Sequence, residues 1–124
     1  MIDAIYPIVE GHGEVRAVPI LLRRLAQKYG AYTTQIFRPY RVPRGRMFAG
    51  SHLENAVELA CRKLEQVTGI GAVLVLLDAD SDCPAEIAPD LLRRVRALQR
   101  ISESIGRWER WGFSRAGISY ILYV

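Results

Sequence analysis

The stretch AVLVLLDADSD, residues 72–82, decides how this chain is read. Ala72 to Leu77 is an apolar run without polar alternation, which predicts a strand covered on both faces. It stops at Asp78, and Asp80 and Asp82 follow at alternate positions. A second apolar run, Ala4 to Val9, stops in the same way at Glu10, with Glu14 close behind in GHGE. If the two strands lie side by side and parallel, up to five carboxylates converge at one end of a sheet. Carboxylates so close are costly to ionise unless a cation lies between them. Hard divalent ions such as Mg²⁺ are held by a few such oxygens together with substrate phosphates. The expectation is a metal site for phosphate chemistry.

The neighbouring segments supply the rest of an α/β pattern. Val18, Leu21, Leu22, Leu25 and Tyr29 keep a helical period after the glycine turn, and Pro19 is tolerable there if it falls in the first turn. Thr33 to Val42 reads as a second strand broken by Pro39, running into the basic loop PRGRMFAG. Ser51 and Glu54 predict a capping box. The helix behind it carries Leu53, Ala56, Val57, Ala60, Cys61, Leu64 and Val67 on one stripe. Ile87, Leu91, Val95 and Leu98 predict a further helix, limited by Pro89, and Ile118 to Val124 a last strand. Pro7 is the one misfit, because proline cannot donate to a ladder and is confined to edges or strand ends. The order βαβαβα(β) predicts an α/β fold: a mostly parallel, Rossmann-like sheet of about four strands with helices on both faces. Sites in such sheets form beyond the carboxyl ends of the strands, where both acidic clusters fall.

Composition narrows the setting. A chain of 124 residues fits a single domain with a real core. No apolar run approaches the roughly 20 residues that span a bilayer. The N-terminus lacks a signal-peptide pattern, so the expected compartment is the cytoplasm. Two cysteines make no disulfide framework. The net charge is +4, and its distribution is uneven. From Gly30 to Leu53 there is no acidic residue, while Arg38, Arg41, Arg44 and Arg46 crowd one stretch. A basic surface around an acidic pocket suits nucleic acid, a polyanion whose scissile phosphate meets the metal.

Competing motifs fail. An EF-hand loop begun at Asp78 would have Cys83 where glycine belongs and Pro89 where glutamate belongs. GHGEVR is neither a dinucleotide fingerprint nor a Walker loop. His12, between two glycines, is open to phosphate contact or to plain exposure. Asp82 and Glu14 also have a capping reading, at the starts of the helices that follow them.

A strand ending in VEG followed by a later strand ending in DxD resembles the Toprim domain of topoisomerases, bacterial primases and overcoming-lysogenisation-defect nucleases. The longer strings YPIVEGHGEVRAVPILLRRL and VLLDADSDCPAEIAPDLL are similar to an uncharacterised family of short bacterial Toprim-like proteins. The likeness covers about residues 1–100, and 101–124 diverge from it. The resemblance implies that Glu10 acts as general acid/base or metal ligand and that Asp78 and Asp80 hold Mg²⁺ or Mn²⁺. Asp82 would support them as a ligand. Glu14 resembles the second glutamate of nuclease-type members, a catalytic role. Arg41, Arg44 and Arg46 would hold flanking phosphates of the nucleic acid. The function so implied is metal-dependent phosphodiester hydrolysis. The alternatives are a non-catalytic module binding nucleic acid or protein, and a small-molecule phosphoesterase. A homodimer paired through the last strand is a further expectation.

Overall fold

The two apolar runs are strands, and they are neighbours. The computed structural model describes residues 2–47, 49–77, 89–91, 93–95, 97–98 and 120–123, with Arg44 and 120–123 described by their backbone. The elements run in the order β1 (Ala4–Val9), α1 (His12–Lys28), β2 (Gln35–Ile36), β3 (Tyr40–Arg41), α2 (Arg44–Met47), α3 (His52–Leu64), β4 (Gly71–Leu76) and β5 (Tyr120–Tyr123). Helical backbone recurs at 89–91 and 93–95. β1 pairs with β4 in parallel from Ala4↔Gly71 to Val9↔Leu76. On its other side β1 pairs in parallel with β2 through Ala4 and Ile5, and with β3 through Ile8 and Val9. β5 runs antiparallel to β4, at the edge of the described sheet. The architecture is an α/β, mostly parallel open sheet of the Rossmann-like kind.

Pro7 sits in the middle of this sheet, and the ladder explains why it is tolerated. The carbonyls of Ile5 and Val9 accept from the N–H groups of Phe37 and Val42. Odd-numbered residues of β1 therefore turn their polar groups toward β2 and β3. The donor that Pro7 lacks would point at 37–39, where those two strands are interrupted. No bond to β4 is lost, and the interruption makes an edge-like place inside a central strand.

Alternation along β1 and β4 divides the core into two layers. Ala4, Tyr6, Ile8, Val73 and Val75 meet the stripe of α3: Leu53, Ala56, Val57, Ala60, Cys61 and Leu64. Leu91 and Val95 join that layer, as does Met47. Cys61 is a buried thiol within it, and the Tyr6 ring lies 5.4 Å from that of Phe37. On the opposite face Val9 and Leu74 meet Val18, with Val15 and Leu22 packed alongside. Helices thus cover both faces.

The stripe expected on α1 is only partly used. Leu21, Leu25 and Tyr29 are exposed. A helix of 17 residues is about 25 Å long, whereas the six-residue β1 spans about 20 Å. Leu25 and Tyr29 therefore overhang the end of the strand, and Leu21 lies on the flank of the packed face. Pro19 is also deeper than expected, inside the helix rather than in its first turn. It leaves the Val15 carbonyl without its usual donor. No described helix is long and apolar enough to cross a membrane.

The expected capping box at Ser51 does not form. Ser51 occupies the N-cap position with φ −112° and ψ 21°, away from the extended conformation of a capping serine, and makes no side-chain cap bond. The other half of the box, Glu54, is engaged elsewhere. Its carboxylate takes a two-pronged contact from Arg94, with Nε at 2.6 Å and a second nitrogen at 3.0 Å. The same guanidinium donates to the carbonyls of Met47 and Gly50. Arg94 thereby ties the backbone at 93–95 to the turn between α2 and α3. Burial pushes the Glu54 carboxyl upward, but the hydrogen bond from Arg94, its own backbone and the Arg94 charge outweigh it, and the group titrates below its ordinary value.

Three substitutions test this packing. Glu54 has a lowered folded-state pKa, so its contribution is present above the ordinary value of 4.5 and is lost as pH falls through the lower folded value. Arg94→Ala should cost about 1–3 kcal/mol at neutral pH, since it strands a partly buried carboxylate. Glu54→Gln should flatten the loss of thermal stability below pH 4.5, and an unchanged acid limb in that variant would contradict the assignment. Gly69 has φ +109° and approaches the Asp3 carboxylate, which accepts from Ile70 N at 2.8 Å. A Cβ there would collide with Asp3 Oδ2. Gly69→Ala should cost about 2 kcal/mol, lowering Tm by about 8 °C. Thermal unfolding at wild-type Tm would show that this turn tolerates a side chain.

Candidate functional site

Because β1, β3 and β4 are parallel, their carboxyl ends lie at one edge of the sheet. Glu10 leaves β1 there, half-buried, directly after Val9. Leu77 leaves β4 beside it and is buried in the core. Asp78 follows Leu77 in sequence. Asp78, Asp80 and Asp82 lie outside the described residues, so Glu10 and Glu14 are the expected acids whose geometry can be given.

Glu14 is in the first turn of α1. Its Oε2 accepts from the Gly11 N–H at 2.9 Å and from the Glu10 N–H at 3.2 Å. Gly11 is the N-cap, with extended backbone and no side chain to cap the helix, so a carboxylate from the first turn reaches back to the preceding N–H groups. This is the second half of a capping box, and the negative charge complements the helix dipole. It also fixes the backbone from which the Glu10 side chain projects. The two acids are therefore coupled, with Glu14 bound to the peptide of Glu10.

Among the described residues no three His, Cys, Asp or Glu side chains converge closely enough to hold a metal. Of the expected ligands, Glu10 is the described one. A carboxylate oxygen at the mouth of two parallel strands is a hard donor, suited in kind to Mg²⁺ or Mn²⁺.

The basic residues are distributed otherwise than a flat loop would place them. Arg44 and Arg46 belong to the short helix α2 instead of a loop. Pro43 begins this turn: its carbonyl accepts from the N–H groups of Arg46 and Met47, and Met47 anchors it in the core. Arg46 lines a pocket of about 120 Å³ together with Arg41, His52 and Asn55. Arg41 is in β3, paired with Val9. It also lines a larger, open cleft of about 820 Å³, with His12, Arg16 and Arg38. Arg41 Nε is buried and has no hydrogen-bond partner among the described residues.

Arg16 is a site candidate that the sequence did not single out. Its signal was present in the spacing, because His12 and Arg16 are one helical turn apart and share a face. It became informative only once β3 was known to lie beside β1. The site as described is an acidic edge at Glu10, with arginines on the β3 side of it. Comparison with known protein families, with curated proteins and with solved structures finds no match for this chain.

Proposed function

We propose that the chain is a Toprim-like, metal-dependent phosphodiester hydrolase acting on nucleic acid in the cytoplasm. The observation that supports this most is the parallel pairing of β1 and β4, in which Val9 is the partner of Leu76. Glu10 and the chain leading into Asp78 thus leave adjacent strands at the same edge. A Mg²⁺ or Mn²⁺ ion held by Glu10, Asp78 and Asp80, with Asp82 in support, would supply an activated water and charge stabilisation at the leaving oxygen.

The chain's own residues have the remaining work. Glu10 stands where it can share the metal or accept a proton. Glu14 positions Glu10 by holding its N–H. Arg41 and Arg46, with Arg44 on the same short helix, hold the phosphates flanking the scissile one. Arginine suits this because its planar fork meets two phosphate oxygens at once.

Plasmid nicking in the presence of Mg²⁺ or Mn²⁺ tests the reading. Glu10→Ala and Asp78→Ala should each lower the rate by about a hundredfold or more, and EDTA should abolish it. Equal cleavage by wild type and both variants would remove the assignment. DNA binding that is lost on Arg41→Ala and Arg46→Ala, with no cleavage under any metal, would instead support a binding module. Turnover of a small phosphoester without DNA binding would support the phosphoesterase.

A second comparison separates the roles of the two glutamates. Glu14→Gln keeps an oxygen acceptor for the two N–H groups and should retain cleavage within about tenfold, while Glu14→Ala should lose about 1 kcal/mol of stability. A collapse of activity in Glu14→Gln as deep as that of Glu10→Ala, at unchanged Tm, would show that the charge of Glu14 takes part in the chemistry.

A further inference from the structure

The larger cleft beside Glu10 has the makings of a binding site in its own right. Arg16 comes from α1, and Arg38 and Arg41 come from the segment containing β3. Three guanidinium groups from two elements therefore line one concavity, and His12 adds a further donor at its rim. The start of α1 closes the same cleft, and the first turn of a long helix favours anions.

Like charges gathered in a cleft repel one another, and among the described residues no acidic one lines this cleft. The carboxylate of Glu14, the acid nearest in the sequence of α1, is turned to the N–H groups of Glu10 and Gly11. Arg41 supplies an independent sign. Its Nε is buried and unpartnered among the described residues, although such a group left alone is costly. An anion lying in the cleft would offset the charge of Arg41, whose planar guanidinium can meet two oxygens of a phosphate at once.

We infer that the cleft lined by His12, Arg16, Arg38 and Arg41 is a phosphate-binding subsite, located on the β3 side of Glu10 and away from β4. Its role in selecting substrate rests on the hydrolase reading, whereas its affinity for phosphate does not. The cleft places one phosphate to one side of the reacting group. Its continuation is marked by Arg41, which lines the smaller pocket with Arg46 as well. A strand of nucleic acid can place successive phosphates in the two, and a phosphorylated small molecule can occupy the first alone.

Calorimetric titration in EDTA, with metal chemistry absent, tests this directly. The ligands are inorganic phosphate, a nucleoside monophosphate and a short single-stranded oligonucleotide. Wild type should bind all three, and Arg16→Ala and Arg38→Ala should each weaken phosphate about tenfold or more. Both residues are exposed, so these variants should keep the wild-type Tm. Arg41→Lys, which keeps the charge but not the fork, should weaken it as well. An oligonucleotide that displaces phosphate and binds more tightly than the mononucleotide identifies nucleic acid as the source. The reverse order identifies a small phosphate compound.

Phosphate affinity equal to wild type in folded Arg16→Ala and Arg38→Ala would overturn the subsite, and so would the absence of phosphate binding to wild type. Either result is compatible with metal-dependent cleavage that requires Glu10, so the hydrolase reading would survive. Conversely, arginine-dependent phosphate binding in a protein that cleaves nothing keeps the subsite and removes the hydrolase.

Discussion

The parallel pairing of β1 with β4 is the constraint on which the rest of the molecule depends. Its register runs without a break from Ala4↔Gly71 to Val9↔Leu76, so the two strands begin and end together. A slip of one residue would exchange the faces, sending Tyr6 and Ile8 toward α1 and Val9 toward α3. The present register matches both layers: branched residues of β4 meet the small residues of α3, and Val9 and Leu74 meet Val18. Ending together also has a chemical consequence. The residues that follow the strands emerge side by side, and on one strand the first of them is Glu10. The acid does not have to be brought to the edge by a long loop, because the core delivers it there.

Elements whose burial is decided locally were legible in the sequence. The α3 stripe named from its period is the stripe that packs, and the break at Pro39 divides β2 from β3. What failed were inferences that need a partner to be known. Ser51 and Glu54 have capping-box spacing, yet Glu54 faces Arg94 from a segment 40 residues away. A bidentate contact to a guanidinium is stronger than one more bond to a backbone N–H, and local spacing carries no information about it. The α1 stripe failed for a geometric reason. Its period is correct, but the strand beneath it is shorter than the helix, and Leu25 and Tyr29 run past the end of the core.

The candidate site was legible to the same extent. Glu10 could be found because it interrupts the chain between an apolar strand and a glycine turn. The dual nature of Glu14 was visible, but the distances show how its capping role extends to the neighbouring acid: the carboxylate oxygen that caps Gly11 also accepts from the Glu10 N–H. The arginines form one group in sequence and two in space. Arg38, Arg41, Arg44 and Arg46 are close in sequence, but the structure sorts the described side chains into two pockets, with Arg41 in both. Arg16 joins the first of them from another element.

That sorting gives the two flanks of β1 different neighbours. β3 brings Arg41 to one flank of β1, and β4 leads the chain toward Asp78 on the other. On the hydrolase reading proposed above, such an arrangement would answer a difficulty that any acidic phosphate site faces. Glu10 alone repels a phosphate, so an anion must be held by other groups while the acid stays close to it. Arginines mixed among the acids would neutralise them, and each pair would be lost to binding both phosphate and cation. The ends of β3 and β4 lie on either side of β1, two strand spacings or about 10 Å apart. Charges carried at those two ends attract across that distance more weakly than at contact. The backbone of β1 would then act as the spacer in the proposed chemistry as well as the centre of the fold.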